Sequence, residues 1–330
     1  MATTSTLLSN LAEVLRLRDR GATFYVSHSA GKDSQTMWIL LSAIIPAAQL
    51  VIIYADLGRV VWDGTVEHIV HTTGRRPVRS TPVSRGVVQY TDYYTGEVVA
   101  APAPQDAFLV CKNESKDFLS MWEARGLPAS PKFRQCTSDL KRGPIQRTIR
   151  CFQNDAGLTT TIVDCAGLRA GESDARAKTC QHTLEKDEDQ SVAGRTWYSY
   201  LPIATLKCVT DQDFDSRFHT DQVFGTIAAV GQQPHFAYLL GMSRLSCVFC
   251  IMASPEDLAI AARARPELLA EYLAMEAKTG HTLFFQSASK KAAARGEKGT
   301  NVSLAEKVAE GERRLATKRS IGSARLQVLA

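Results

Sequence analysis

The sequence predicts an α/β protein with a doubly wound, mainly parallel sheet. Two observations carry this prediction. Strand-like and helix-like segments alternate along the first half of the chain, as in sheets that helices cover on both faces. The run Ala22-Thr23-Phe24-Tyr25-Val26, rich in β-branched and aromatic residues, leads through a small-residue turn directly into a helix-like run. With 330 residues, the chain is long enough for one large domain with an appendage, or for two domains.

The elements follow in order. Helices are expected at residues 4–20, 33–45, 63–73, 114–125 and 138–152, and strands at 22–27, 50–55, 78–81 and 159–165. The stretch from the third strand to Gln105 is expected to be a long functional loop. From Asp211 onward the chain is expected to be helical, with helices at 255–264 and 266–278 that each begin with proline. We therefore predict one domain at 1–205 and a helical C-terminal region at 206–330.

Nothing in the sequence predicts a membrane partner. The first helix has the apolar spacing of an amphipathic helix rather than of a signal peptide, and the run from Met37 to Ile45 is too short to span a bilayer. We therefore expect a cytoplasmic protein. Its eight cysteines are expected to be mostly reduced, so that a cysteine cluster indicates metal before disulfide.

Positive charge is concentrated in two segments. The net charge is only +5, but residues 112–150 carry nine Lys and Arg against four Asp and Glu, and residues 290–325 carry ten against four. Such segments suit phosphate-bearing partners, from ATP to nucleic acid; the alternative is a solvated basic face. The second segment is poor in aromatic residues, which argues against stacked bases there.

The turn Ser27-His28-Ser29-Ala30-Gly31-Lys32-Asp33-Ser34 is the strongest functional motif. A turn of small residues between strand and helix directs backbone N–H groups, the positive helix end and the lysine at one point, where a polyphosphate would bind. It lacks the Walker spacing. The alternative is an ordinary turn in which Asp33 or Ser34 caps the helix. The predicted nucleotide-binding residues here are Ser27, Ser29, Ala30, Gly31, Lys32, Asp33 and Ser34.

Two further segments should meet this turn, because ligands of parallel sheets bind at the carboxyl ends of the strands. Asp56-Leu57-Gly58 follows the second strand, and residues 167–176 follow the strand at 159–165. The predicted binding residues in these segments are Asp56, Gly58, Gly167, Arg169, Glu172 and Ser173. Arg169, Arg176 and Lys32 would neutralise a triphosphate, and Asp33, Asp56 or Glu172 could reach Mg²⁺.

These motifs together resemble the phosphoadenosine phosphosulfate (PAPS) reductase-like family of ATP-pyrophosphatases, the PP-loop proteins with an adenine nucleotide α-hydrolase-like (HUP) fold. The resemblance also includes Arg134-Gln135-Cys136-Thr137, Leu201-Pro202-Ile203 and residues 241–251, and covers roughly residues 20–280. Ala30 stands where the family usually has glycine. The resemblance implies a five-stranded, mainly parallel sheet, and it implies that the loop amides and Lys32 hold the β and γ phosphates of ATP. Lys32, Asp33, Arg169 and Arg176 are then the expected catalytic residues.

The predicted metal ligands are cysteines. Cys247 and Cys250 are three residues apart, which suits two thiolates on one metal ion or cluster. Cys136 is the third expected ligand, and we expect its position before a basic helix, with Arg134, Lys141 and Arg142 nearby, to favour the thiolate. We expect these cysteines to bind a 4Fe-4S cluster or Zn²⁺. The alternative is that they are reduced and bind no metal. The sequence does not identify a fourth ligand, although Cys180 and His182 are expected near the nucleotide loop. Three other cysteines are expected to be core residues: Cys151, Cys165 and Cys208.

The resemblance implies several functions. The chain has no cysteine after Cys250, hence no redox cysteine of the thioredoxin-dependent PAPS reductases, and a single Cys136 where adenylyl-sulfate reductases have a cysteine pair. It is more similar to stand-alone members from phages, mobile elements and DNA phosphorothioation systems. We therefore expect an enzyme that adenylates an acceptor, DNA or RNA, for sulfur transfer. The alternatives are a PAPS or adenylyl-sulfate reductase, and an ATP-sensing subunit of a defence or regulatory system. The sequence also allows a sulfur donor, a partner protein and homo-oligomerisation, but identifies none of them.

Overall fold

The computed structural model describes residues 4–84, 86–158, 161–180, 182–204, 220–286 and 299–328. Cys208 and part of the C-terminal basic segment, residues 290–298, lie outside these ranges. The chain forms two compact units: unit 1 comprises Met1–Asp56, Gly64–Lys112 and Gly143–His235, and unit 2 comprises Leu57–Asp63, Asn113–Arg142 and Phe236–Ala330. Each unit is thus assembled from three segments, and the division at residue 205 stays a prediction.

The helices, in chain order, are α1 Thr4–Asp19, α2 Lys32–Ser42, α3 Thr65–Thr73, α4 Phe118–Arg125, α5 Gln135–Thr137, α6 Gly143–Asp155, α7 Asp174–Thr179, α8 Thr220–Ala229, α9 Phe236–Leu239, α10 Pro255–Ala264, α11 Pro266–Thr279 and α12 Leu304–Val328. The strands are β1 Thr23–Ser27, β2 Leu50–Asp56, β3 Pro77–Ser84, β4 Val87–Asp92, β5 Val98–Val99, β6 Phe108–Lys112, β7 Thr161–Cys165, β8 Leu184–Lys186, β9 Thr196–Tyr200, β10 Phe284–Gln286 and β11 Thr300–Val302. No helix in these described ranges is both long and apolar enough to cross a bilayer.

Unit 1 contains an α/β sheet with the strand order β5-β4-β3-β6-β2-β1-β7-β9-β8. Six neighbouring strands, from β3 to β9, are parallel, and the other three pair antiparallel at the two edges. The first four residues of β1 and six of the seven residues of β2 are buried, as expected of strands that are covered on both faces. The mainly parallel α/β sheet is confirmed.

The prediction of five strands is not confirmed, because the described part of unit 1 has nine. The expected long loop before Gln105 folds into the antiparallel strands β4 and β5. A turn after β4 makes this possible: Asp92 Oδ1 accepts hydrogen bonds from the backbone N–H groups of Tyr94 and Thr95, and Gly96 has a φ of 74°. Sequence patterning also missed β6, a short strand buried beside β2.

A buried arginine, Arg75, bonds backbone carbonyls at the amino-terminal edge of this sheet. Arg75 Nη1 donates hydrogen bonds to the carbonyls of Leu50 (2.6 Å), Pro104 (3.1 Å) and Ala107 (3.1 Å), and its guanidinium stacks 4.9 Å from the centre of the Trp38 ring. Burial lowers the pKa of Arg75 to about 10. The side chain therefore remains charged at neutral pH and ties the start of β2 and the segment 104–107 to its own position after α3.

Unit 2 has its own core, centred on aromatic residues. Phe118 and Trp122 of α4 pack on Tyr272 of α11, with the Phe118 and Tyr272 rings stacked at 5.8 Å. Phe249 meets the same tyrosine edge-on at 5.3 Å. A capping box begins α4, in which Asp117 and Ser120 each bond the other's backbone N–H. The predicted helices at 255–264 and 266–278 are found as α10 and α11, accompanied by the β10–β11 hairpin.

We expect Arg75→Met to lower the free energy of unfolding by about 3 kcal/mol, because it removes charge-assisted hydrogen bonds to buried carbonyls. Urea unfolding at pH 7 measures this. The neighbouring Arg76→Met is the control: its side chain is 68% exposed and pairs with Asp92. Arg76→Met should lower the free energy of unfolding by at most about 1 kcal/mol. Equal losses in the two variants would contradict the anchoring role of Arg75.

Candidate functional site

The loops after β1 and β7 and the end of β2 lie at one edge of the sheet in unit 1, because their strands are parallel neighbours. Ser27 of β1 pairs with Ile53 of β2, and Val26 of β1 pairs with Cys165 of β7. The loop after β1, the end of β2 at Asp56 and the loop after β7 therefore emerge on the same side, as predicted.

The β1 loop is held by its own short side chains. Ser34 Oγ donates to the carbonyl oxygen of Gly31 at 2.9 Å and accepts from the backbone N–H of Ser29 at 3.1 Å. Gly31 is the N-cap residue directly before α2, and no side chain caps that helix. The positive end of an eleven-residue helix is thus directed at the loop without a capping side chain.

His28 and Ala30 form a second internal contact of the loop. Ala30 has a φ of 60°, a left-handed conformation that costs an alanine about 1–2 kcal/mol. Its backbone N–H donates to His28 Nδ1 at 3.1 Å. Burial, with His68 nearby, lowers the pKa of His28 to about 3, so the ring is neutral at pH 7. A neutral ring that accepts at Nδ1 carries its proton on Nε2.

Two cations of the site share one carboxylate. Asp33 accepts a hydrogen bond from Arg169 Nε through Oδ1, and Lys32 Nζ lies 3.3 Å from Asp33 Oδ2. The Lys32 and Arg169 side chains are each only 5% exposed. The structure thus brings together three of the four expected catalytic residues. Two buried cations and one carboxylate therefore lie together at the start of α2.

Gly167 explains how Arg169 reaches the β1 loop. A Cβ atom at Gly167 would lie 3.1 Å from the backbone carbonyl of Asp33 and 3.2 Å from the backbone nitrogen of Ser34. Such contacts are too close for the surroundings to accept without moving. The absence of a side chain therefore lets the loop after β7 lie directly against the start of α2.

The remaining predicted residues are placed differently. Arg176 Nε lies 3.6 Å from Glu172 Oε2, and Ser173 Oγ accepts from the Arg176 backbone N–H at 3.3 Å. These contacts link residues of the α7 region to one another. Asp56 ends β2 at the carboxyl edge, whereas Gly58 belongs to unit 2, where it has a φ of 69°.

Two histidines near this loop, His68 and His235, have no predicted role. The His68 and His235 rings lie 5.3 Å apart, and His68 Nε2 is 3.2 Å from Gln35 Oε1 of α2. Burial lowers the pKa of both histidines to about 4. They come from α3 and from the segment after α8, so no local sequence pattern could have grouped them with His28.

The three predicted cysteine ligands all belong to unit 2 and are electrostatic neighbours. Cys247 and Cys250 flank Val248 and Phe249, which are almost completely buried and anchor this turn. The backbone N–H of Met252 donates to Cys250 Sγ at 3.4 Å, a contact that suits a thiolate. Cys247 interacts electrostatically with both Cys136 and Cys250.

The expectation that Cys136 is a favoured thiolate is wrong. Burial raises its pKa, and the charge of Cys250 adds to this, while Lys141 offsets only part of the shift. Cys136 lies in the short α5, and the basic helical residues 138–155 follow directly, so the predicted position is found while the thiolate is not. Burial likewise raises the pKa of Cys247 to about 11. Both thiols are therefore protonated in the ligand-free protein, and a metal ion would have to displace their protons.

The other cysteines of interest lie in unit 1. Cys151 and Cys165 are buried, as expected of core residues. Cys180 is buried after α7, and His182 is exposed and lies 2.9 Å from Glu185. Across the described ranges, no group of three or more His, Cys, Asp or Glu side chains has the arrangement of a formed metal site.

No protein-family model and no curated protein sequence matches this chain. The resemblance to the PP-loop enzymes therefore depends on the sequence motifs.

The His28–Ala30 contact generates a prediction. We expect His28→Ala to weaken pyrophosphate binding about tenfold, because Ala30 then relaxes from the left-handed conformation and must be returned to it on binding. Ala30→Gly in the same background should restore most of the affinity, and His28→Asn, which keeps an acceptor, should bind better than His28→Ala. Isothermal titration calorimetry measures each affinity.

The matched control is Ala30→Gly in the otherwise unchanged protein. It should alter the affinity by less than about twofold, because the loop is already organised. If Ala30→Gly has the same effect with and without His28, the two residues are not coupled. The ¹⁵N shifts of His28 report its tautomer independently of any ligand.

Proposed function

We propose that the chain is an ATP-pyrophosphatase of the PP-loop type, similar to the PAPS reductase-like enzymes, that cleaves ATP between its α and β phosphates. The observation that carries this proposal is the Lys32–Asp33–Arg169 arrangement beside the uncapped start of α2. Buried cations are costly unless they are compensated. Asp33 contacts both cations, and a polyphosphate bound beside them would interact favourably with the same two charges.

Each residue has a role in this proposal. Lys32 and the loop amides bind the β and γ phosphates, so that pyrophosphate is the leaving group and the α phosphorus is open to attack. Arg169, oriented by Asp33, stabilises the charge that develops on the departing pyrophosphate. Arg176 would assist if it exchanged Glu172 for phosphate.

Mg²⁺ fits this site through Asp56. Mg²⁺ in nucleotide sites commonly takes one or two carboxylates together with phosphate oxygens. Asp56 ends β2 at the carboxyl edge, on the strand next to β1, and its carboxylate is of the type that Mg²⁺ takes. The ion would supply charge neutralisation on the polyphosphate.

The acceptor that we propose for adenylation is a nucleic acid, with sulfur transfer as the subsequent reaction. Unit 2 supports this second part because Cys136, Cys247 and Cys250 are neighbours there. Three thiolates can occupy three corners of a 4Fe-4S cluster, or three positions of a zinc site, once the cysteines have lost their protons and moved from their ligand-free arrangement, in which the described residues form no metal site. A cluster bound there would supply sulfur chemistry, and the protein's own contribution is to hold the three ligands on a rigid aromatic core.

The nature of the products tests the first part. With ATP and Mg²⁺, we expect AMP or an adenylated acceptor together with pyrophosphate. Lys32→Met keeps the buried stem but removes the charge, and should weaken ATP binding about ten- to hundredfold through loss of a charge-assisted contact. The exposed Lys186→Met is the control and should bind ATP normally. Release of ADP and orthophosphate would sink the proposal, whereas sulfite release from PAPS with a dithiol would favour the reductase.

Metal content tests the second part. Anaerobic purification followed by iron, zinc and sulfide analysis should show metal in the unchanged protein. Cys136→Ser, Cys247→Ser and Cys250→Ser should each lose most of it, because a site with few ligands cannot spare one. Cys151→Ser and Cys208→Ser are controls and should retain it. Full metal content in the Cys247→Ser, Cys250→Ser double variant would exclude this site.

A further inference from the structure

A second basic feature of unit 1 lies away from the β1 loop. It is a cavity of about 870 Å³ on the surface of α6. Arg147 and Arg150 of α6, Arg195 before β9, and Pro82 and Ser84 of β3 line it. Its volume is that of sites for ligands of nucleotide size rather than for a single ion.

The arginines in this cavity bond neutral groups rather than carboxylates. Arg150 Nη1 donates to Gln190 Oε1 at 2.9 Å, and Arg195 Nη2 donates to Asn154 Oδ1 at 3.0 Å. Arg147 is exposed on the rim. Within the ranges that the structure describes, none of the three forms an ion pair. Their positive charges are therefore close together and are not neutralised by the protein.

The surrounding ionisable groups do not change this balance. Asp155, the nearby carboxylate at the end of α6, accepts a hydrogen bond from the Tyr90 hydroxyl at 3.0 Å. Burial, with Asp155 nearby, raises the pKa of Cys151, so this lining thiol is neutral at pH 7. Burial and the two other arginines lower the pKa of Arg150. Three positive charges thus face one carboxylate, an arrangement that a bound anion would stabilise.

The cavity is separate from the β1 loop. Arg195 immediately precedes β9, whose first residue, Thr196, pairs with the first residue of β7. Arg195 therefore lies at the amino end of β9, whereas the β1 loop occupies the carboxyl edge, and none of the residues that line the cavity belongs to the β1 loop or to the loop after β7. Five residues of strand separate the two edges, which is about 17 Å. A single phosphate group cannot contact Arg195 and the β1 loop at once.

We propose that the Arg147–Arg150–Arg195 cavity binds the phosphate groups of a nucleotide. Guanidinium groups bind phosphate oxygens through paired N–H donors, and amides such as Asn154 and Gln190 keep the arginines in place until the ligand arrives. The nucleotide comes either from a single-stranded nucleic acid or from a free mononucleotide. If it is nucleic acid, the cavity supplies the acceptor-binding surface of the proposed function, and to that extent the inference rests on it.

The experiment uses the full chain with labelled single-stranded DNA and, separately, with AMP. Substituting Arg147, Arg150 and Arg195 together by Gln should weaken binding of the DNA at least tenfold. It should also reduce the slope of log affinity against log salt by about 2, since three phosphate contacts to a single strand are lost. The control substitutes Arg16, Arg20 and Lys186 by Gln, which removes the same charge elsewhere in unit 1 and should change the affinity less than about twofold.

The other arms separate the remaining outcomes. Arg147→Glu alters one exposed side chain, so it should weaken binding without affecting the unfolding temperature. Arginine-dependent binding of AMP but not of DNA would assign the cavity to free nucleotides. Lys32→Met should leave binding at the Arg147–Arg150–Arg195 cavity intact. A loss of ATP turnover can therefore be distinguished from a loss of binding at the cavity. If neither ligand binds, or if both triple variants weaken binding equally, the proposal is wrong.

Discussion

The arrangement of unit 1 depends on the central position of β1, which pairs in parallel with β2 on one side and β7 on the other. Because parallel neighbours end at the same edge, the loops after β1 and β7 and the end of β2, which are distant in sequence, lie together there. Arg169 can reach Asp33 only because β7 lies beside β1, and Gly167 allows the close approach. The register of two strand pairs therefore determines the composition of the site.

The charge balance of the site follows from burial. Lys32 and Arg169 are withdrawn from water and both contact Asp33, which holds the two cations beside the start of α2. His28 stays neutral because it is buried, and so it orients Ala30 without adding a further charge. The loop thus combines a fixed backbone with two neighbouring cations and one carboxylate.

Unit 2 uses a different physical principle. Its aromatic core fixes the turn that carries Cys247 and Cys250, because Val248 and Phe249 between them are buried. Burial also raises the pKa values of Cys136 and Cys247, so the ligand-free thiols hold their protons. The thiolate was expected at Cys136 from the positive helix end and the nearby basic residues. Desolvation, which depends on packing, outweighs the attraction of Lys141.

Local chemistry determined much of this protein by itself. The alternation of segments predicted the parallel sheet, and the motif at Ser27–Ser34, with its small residues and its lysine, predicted the loop at the end of β1, because turn and strand preferences act over a few residues. Only the tertiary structure decided the edge strands β4, β5 and β8, the grouping of His68 and His235 near the loop, and the cavity between α6 and β3. Those features arise from contacts between residues far apart in the chain, whose partners are chosen by packing and strand register rather than by neighbouring residues.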